Sequence, residues 1–173
     1  DNMSAIKTLK ALEGERRRAT PDEQRVLARF VGWGGLANAF PNPETGKFKP
    51  EWEKRGNELR DMLTPSEYRA ASRSTRNAHY TSEVVVGAMW DAVRRMGYRN
   101  GLALESSMGS GNFLGLMHSD MAARFIGVEY DSITARLAGA LYPQATVLHS
   151  GFQDVALPDG AFDLDIGNPP FGS

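Results

Sequence analysis

Residues Leu102 to Gly115, L-A-L-E-S-S-M-G-S-G-N-F-L-G, constrain the fold of this chain more than any other stretch. A short apolar run, Leu102-Ala103-Leu104, leads into the acidic Glu105 and then a turn of small residues carrying Gly109 and Gly111, after which Asn112-Phe113-Leu114 begins a helical pattern. The reading is strand, tight glycine turn, helix. Glycine serves such a turn because it reaches backbone angles that other residues avoid and leaves room for a ligand to approach the main chain. Glu129 follows Gly109 by twenty residues, at the end of a second apolar run, Phe125-Ile126-Gly127-Val128. In nucleotide-binding sheets an acidic residue at that distance accepts hydrogen bonds from ribose hydroxyls.

The turn departs from the dinucleotide fingerprint, since Phe113 follows the Gly-x-Gly and no third glycine stands at the usual place. A pyrophosphate needs a dense cradle of amides at a helix start. A ligand with an adenosine but no phosphate, such as S-adenosyl-L-methionine, does not. A third signal is Asn168-Pro169-Pro170-Phe171, after the run Phe162-Asp163-Leu164-Asp165-Ile166-Gly167. Two consecutive prolines stiffen the backbone and remove two amide donors, so the carbonyls around them stand as acceptors, with the Asn168 side-chain carbonyl beside them. An exocyclic amine with two hydrogens to donate fits that row, and Phe171 offers a flat face for the ring carrying it. The plainer alternative is a structural turn at a strand end.

These motifs resemble those of amino-methyltransferases with the Rossmann-like S-adenosylmethionine fold, in particular the N6-adenine DNA methyltransferases. Within these, YTS, LESSMGSGNF, FIGVEYD and FDLDIGNPPFG are similar to the large helicase-associated adenine methylases of phages, plasmids and mobile elements. ATPDEQRVLARFVGWGGL and RNAHYTS resemble the amino-terminal region of that family, so the resemblance covers nearly the whole chain. It implies that Asn168, Pro169, Pro170 and Phe171 form the catalytic corner. It further implies that cofactor is held by Tyr80 and Thr81, by Glu105, Ser107, Gly109, Gly111, Asn112 and Phe113 around the glycine turn, by Glu129 and Tyr130, and by Phe152 beside the adenine. For Thr81 a simple helix cap, and for Phe152 a core position, are the competing readings. The implied partner is DNA with an adenine flipped from the duplex. The family's motif order also implies later strands and a target-recognition region, so residues 77–173 read as an incomplete core that further domains or a partner would complete. Methylation of a protein glutamine amide, and a non-catalytic module binding DNA or a partner protein, are the alternative functions.

With 173 residues, 41% of them hydrophobic and 24% charged, the chain has the composition of ordinary globular protein. No apolar run approaches the length of a membrane span and the amino terminus lacks a signal peptide's regions, so the expected setting is cytoplasmic, with no membrane partner. The absence of cysteine excludes disulfides and thiolate metal sites, and His79, His118 and His149 show no ligand spacing, so no metal is expected. The net charge of −1 is unevenly divided: residues 1–80 hold 15 Lys and Arg against 11 Asp and Glu, whereas residues 81–173 hold 5 against 10. A basic leading segment is compatible with contact to phosphates, and equally with charges on solvated helix faces.

The fold class is therefore α/β: a Rossmann-like methyltransferase core over residues 77–173, with a partial parallel sheet and helices on both faces, preceded by a helical N-terminal extension over residues 1–76. In the extension, Ile6, Leu9 and Leu12 space a helix ending by Gly14, and Arg16-Arg17-Arg18 is a basic cluster in a linker. Thr20-Pro21-Asp22-Glu23 and Thr64-Pro65-Ser66-Glu67 each combine a capping residue, a proline at the first helical position and a glutamate three after the cap. The first starts a helix to about Phe30 that buries Val26, Leu27 and Phe30. Val31 to Leu36 reads as a glycine-rich loop, either packing over substrate or cofactor or, the favoured reading, anchored in the core by Trp33; residues 41–50 read as a surface loop, and Glu51 to Met62 as a helix with Trp52 and Leu59 as candidate core contacts. In the second part, a helix from Ser82 to Met96 presents Val85, Val86, Met89, Trp90 and Val93, and further helices cover Asn112 to His118 and Asp131 to Leu141. Strands are expected at Leu102 to Leu104, Arg124 to Val128, Thr146 to His149 and across the Phe162 to Gly167 run. Asp165 stands where a buried parallel strand is normally apolar, an expensive position unless the carboxylate is paired or protonated.

Overall fold

The computed structural model describes residues 1–75 and 80–169. Pro170 and Phe171, and the start of the RNAHYTS segment, lie outside the described residues. The chain divides into two compact units, Asp1–His79 and Tyr80–Ser173.

The first unit is helical. Helix α1 (Asn2–Glu15) buries Ala5, Ile6, Leu9 and Leu12 on one face. It does not stop at Gly14. Arg16 takes the left-handed conformation that closes the last turn, φ 52 and ψ 43, with Arg17 N–H donating to Leu12 O at 3.2 Å. Arg17 is not free for a nucleic-acid backbone: its guanidinium pairs with Glu23 at 2.6 Å and with Glu15. That bond, seconded by the Thr20 amide, lowers the Glu23 carboxyl to about 2. Helix α2 (Pro21–Leu27) and helix α4 (Pro65–Ser74) both open on complete capping boxes. In α2 the helix ends three residues short of Phe30, which turns back into the core nonetheless. The glycine-rich stretch after it is a 3-10 helix, Trp33–Ala39, rather than an open loop, and Trp33 is fully buried. Phe30, Trp33, Phe40 and Tyr68 meet in sequence with ring centroids 5.6, 6.3 and 5.1 Å apart, the first two pairs edge on and the third tilted. Helix α3 (Glu53–Met62) follows a 3-10 turn, Pro50–Trp52; Leu59 is buried, while Trp52 is only half-buried under the guanidinium of Arg55.

The second unit is α/β, with a four-stranded parallel sheet flanked by helices. In chain order it contains α5 (Glu83–Arg95), β1 (Asn100–Glu105), α6 (Asn112–Gly115), β2 (Ala122–Glu129), α7 (Ser132–Leu141), β3 (Thr146–His149) and β4 (Leu164–Asp165). The strand order β3-β2-β1-β4 is Rossmann-like: the chain works outward from β1 and then crosses back to its other side. Ala103 of β1 lies in register with Phe125 of β2 and Leu164 of β4. Over this face pack Val86, Trp90 and Val93 of α5, with Phe113, Leu114, Met121 and Ile166 completing the core. The Trp90 indole is satisfied by the Phe113 carbonyl at 2.8 Å. Val85, expected on the buried stripe, is 48% exposed; one residue per turn, Val86, Trp90 and Val93, suffices to reach the sheet.

Two elements are shorter than their sequence suggests. β4 has two residues because the Asp163 side chain, not a strand carbonyl, takes the Leu102 amide at 2.8 Å. Helix α6 stops at Gly115, where the Tyr142 hydroxyl occupies the place of a side chain. The expected penalty at Asp165 does not arise. Among the described residues β4 is an edge strand and that carboxylate is exposed. Among the described residues, too, no helix is long and apolar enough to cross a membrane.

Candidate functional site

In a sheet of this order a ligand crevice forms outside the carboxyl ends of β1 and β4, where successive connections leave in opposite directions. Glu105 ends β1, and Gly167-Asn168 follow β4. The main chain of Gly167 passes Glu105 closely enough that a Cβ there would meet Glu105 Cγ at 3.5 Å.

The turn between β1 and α6 is shaped by its glycines. Gly109 (φ 56) and Gly111 (φ 89) both lie in the left-handed region. A side chain on Gly109 would press on the Tyr80 ring at 3.2 Å, and one on Gly111 would meet the Tyr142 ring at 2.6 Å. The turn is tied to β2 twice, by Met108 N–H to Val128 O and by Gly109 N–H to Glu129 Oε2, both 2.8 Å. Glu129 Oε1 accepts from the Asp131 amide at 2.7 Å. Expected as a ribose acceptor, Glu129 thus also fastens the turn to the tip of its strand, and each oxygen keeps a further lone pair for a ligand. Burial pushes its carboxyl up, while the Asp131 and Gly109 amides hold it down.

Glu105 differs. It is 1% exposed and its Oε2 has no hydrogen-bond partner among the described residues. Burial, and secondarily the charge of Glu129, push it up to about 9. At neutral pH it is a carboxylic acid, able to donate.

Tyr80 lies half-buried against Gly109, its phenol raised by burial first and by the Glu129 charge second, with a Ser110 hydrogen bond opposing. Thr81 is not the cap of α5. Ser82 holds that position without a side-chain bond, and the Thr81 hydroxyl instead accepts from Asn168 Nδ2 at 3.1 Å. This contact spans 87 residues of chain, and it leaves Asn168 Oδ1 to accept from elsewhere. Asn168 and Pro169 are exposed. Ser107 and Asn112 are half-buried in the turn, Asn112 receiving a bond from Ser110 at 3.3 Å. Phe113 points into the core, so that a ligand could meet only its main chain. Tyr130 at the end of β2 is 75% exposed. Phe152, in a 3-10 turn after β3, is 45% exposed, which removes the alternative of a core phenylalanine.

Two residues shape the site without having been singled out in the sequence. Tyr142, closing α7, fills the notch left by Gly111 and Gly115, and Met108 lies across Gly127. The signals were present: two glycines four apart at a helix start, and a glycine inside a strand, both mark close approach. No group of three or more His, Cys, Asp or Glu suited to a metal occurs among the described residues. The assembled rim offers a glycine turn, the Glu129 carboxyl with an amide on each oxygen, the buried Glu105 carboxyl and an outward amide carbonyl, a set suited to a polar ligand recognised at several points.

No family model matches the sequence, and no curated protein matches it. Two solved structures resemble the fold. One, from Listeria monocytogenes, is provisionally classed as a class I S-adenosylmethionine-dependent methyltransferase; it is 16% identical, with a TM-score of 0.47 over 99% of this chain and 59% of that one. The other, from Vibrio vulnificus, is provisionally classed as the modification subunit of a type I restriction enzyme; it is 14% identical, with a TM-score of 0.45 over 99% of this chain and 54% of that one. The chain thus spans between half and three fifths of the length of either protein.

Proposed function

We propose that this chain is the cofactor-binding and catalytic-motif portion of an S-adenosylmethionine-dependent methyltransferase acting on the N6 amine of adenine in DNA. The observation that carries the reading is the hydrogen bond from Asn168 to Thr81. It brings Asn168, after β4, to the segment whose Tyr80 lies on Gly109, which supports a reading in which an acceptor corner and the glycine turn serve one site. The donor set suits the cofactor: a glycine turn that would not admit side chains, Glu129 for the ribose hydroxyls, exposed Tyr130 and Phe152 for the adenine, and a buried carboxyl with an unfilled hydrogen-bonding position.

The cofactor supplies a methyl group on a sulfonium, open to direct displacement. The protein's part is to hold the target amine in line and improve its lone pair, which an aromatic amine shares with its ring. Asn168 Oδ1 and the Pro169 carbonyl would accept the two amine hydrogens and favour a more pyramidal nitrogen. Extruding the adenine from its duplex costs about a few kcal/mol, and stacking on Phe171 offsets roughly 1–3 kcal/mol of it. Two measurements test the reading. Calorimetry with S-adenosylmethionine should detect binding; its absence in a protein with native circular dichroism would favour a non-catalytic module. Transfer of radiolabelled methyl to duplex DNA should be abolished by Asn168→Ala, and transfer that survives the substitution rejects the assignment.

A further inference from the structure

We propose that ligand binding at this rim is coupled to proton release: Glu105 carries a proton before a ligand binds and gives it up when a cationic group of the ligand settles beside its buried oxygen. The inference rests on the methyltransferase reading, whose cofactor carries an ammonium and a sulfonium, and it adds a linkage that the reading does not require. Glu105 and Glu129 end neighbouring strands in register, Glu105 opposite Gly127 and two residues from Glu129's level. Their surroundings separate them. Glu129 has a backbone amide on each oxygen, at 2.8 and 2.7 Å, and these favour its charged form against the burial that pushes its carboxyl up. Glu105 has no such donor at Oε2, is 1% exposed, and lies against the main chain of Gly167. A charge there would be both desolvated and repelled.

Among the described residues the titratable groups that face Glu105 are Glu129 from β2 and Tyr142 from the end of α7, whose phenol is raised by burial and then by Glu105 itself. Neither is a cation, and after β4 the Gly167 main chain lies against the Glu105 side chain. Among the described residues no positive charge faces Glu105 to ionise it, and burial holds the group up to about 9. An arriving cation supplies that charge. The O–H bond of Glu105 then breaks, its proton passes to solvent, and the carboxylate remains as the partner of the ligand's positive charge.

Calorimetry of the whole chain at pH 7, in buffers of low and high protonation enthalpy, counts the protons. S-adenosylmethionine and S-adenosylhomocysteine should each release close to one proton, and S-adenosylmethionine affinity should rise roughly tenfold per pH unit from about pH 6 to 8. Adenosine, which has no cation, should release none. Glu105→Gln, of nearly the same shape, should bind without release and without the pH slope. Infrared spectroscopy of the ligand-free protein at pH 7 gives a second reading: a protonated-carboxyl stretch that Glu105→Gln lacks. Binding with no proton release, release that persists in Glu105→Gln, or absence of the infrared band overturns the proposal and leaves the methyltransferase reading standing. A present band with no binding of either charged ligand overturns that reading, and the proposal with it.

Discussion

Each unit of the molecule contains a glycine-rich segment beside an aromatic ring, and the two are finished differently. In the first unit the Gly32 to Gly35 stretch is closed by its own neighbours. The Asn2 amide donates to Gly32 O at 2.7 Å and accepts from Val31 N–H at 2.9 Å, and Trp33 is enclosed between Phe30 and Phe40. In the second unit the Gly109 to Gly111 turn is tied down on the β2 side, while the Glu105 carboxyl has a buried oxygen with no partner among the described residues and Asn168, Tyr130 and Phe152 are exposed. Glycine content and aromatic neighbours are alike. What separates a packed turn from a binding turn is whether the protein itself satisfies the polar groups it buries.

The contrast can be broken experimentally. Trp33→Ala should have the largest effect, costing about 3–5 kcal/mol by the cavity it leaves; urea unfolding should register it while ligand affinity of the remaining folded protein stays unchanged. An affinity loss there would make the first segment part of the site. Gly111→Ala should cost about 1–3 kcal/mol, because φ 89 is strained for alanine and the Tyr142 ring would have to move. A thermal melt unaltered by this change would show that the turn is not held as described. Glu105→Gln should act in the opposite direction and stabilise the fold at pH 7 by about 1–3 kcal/mol. The sign follows from linkage: the folded carboxyl, at about 9 against an ordinary 4.5, binds more protons than the unfolded one, so wild-type stability falls as pH rises through that window. In the variant the decline should flatten; a decline of equal slope would mean that another group causes it. Thr81→Val should have the smallest thermodynamic effect, under about 1 kcal/mol, yet lower methyl transfer roughly ten- to a hundredfold by freeing Asn168. Unchanged transfer would remove the Asn168 to Thr81 contact from the mechanism.

Much of the second unit was legible in its sequence. The strand, glycine turn and helix around Gly109 follow from local backbone chemistry, and the α7 cap at Asp131, accepting from Thr134 N–H at 2.9 Å, belongs to a pattern of four adjacent residues. The capping boxes at Thr20 and Thr64 were readable for the same reason. The 3-10 helix at Trp33–Ala39 was not, because three glycines suggest an open loop until the distant Asn2 clamp is known. Likewise Thr81 looks like a cap by its position before α5, and only the fold brings Asn168 to its hydroxyl.

The sequence alone determined the order of strands and helices, the positions of the sharp turns and the identity of the polar residues near them, since these depend on backbone angles, periodicity and capping among a few neighbours. Among the described residues, the tertiary structure decided that Asp165 lies exposed at an edge, that Glu129 receives two amides and that Glu105 receives none at its buried oxygen. Desolvation and hydrogen-bond supply depend on how the strands and turns assemble, so two glutamates that look equivalent in the sequence acquire different surroundings once the sheet has formed.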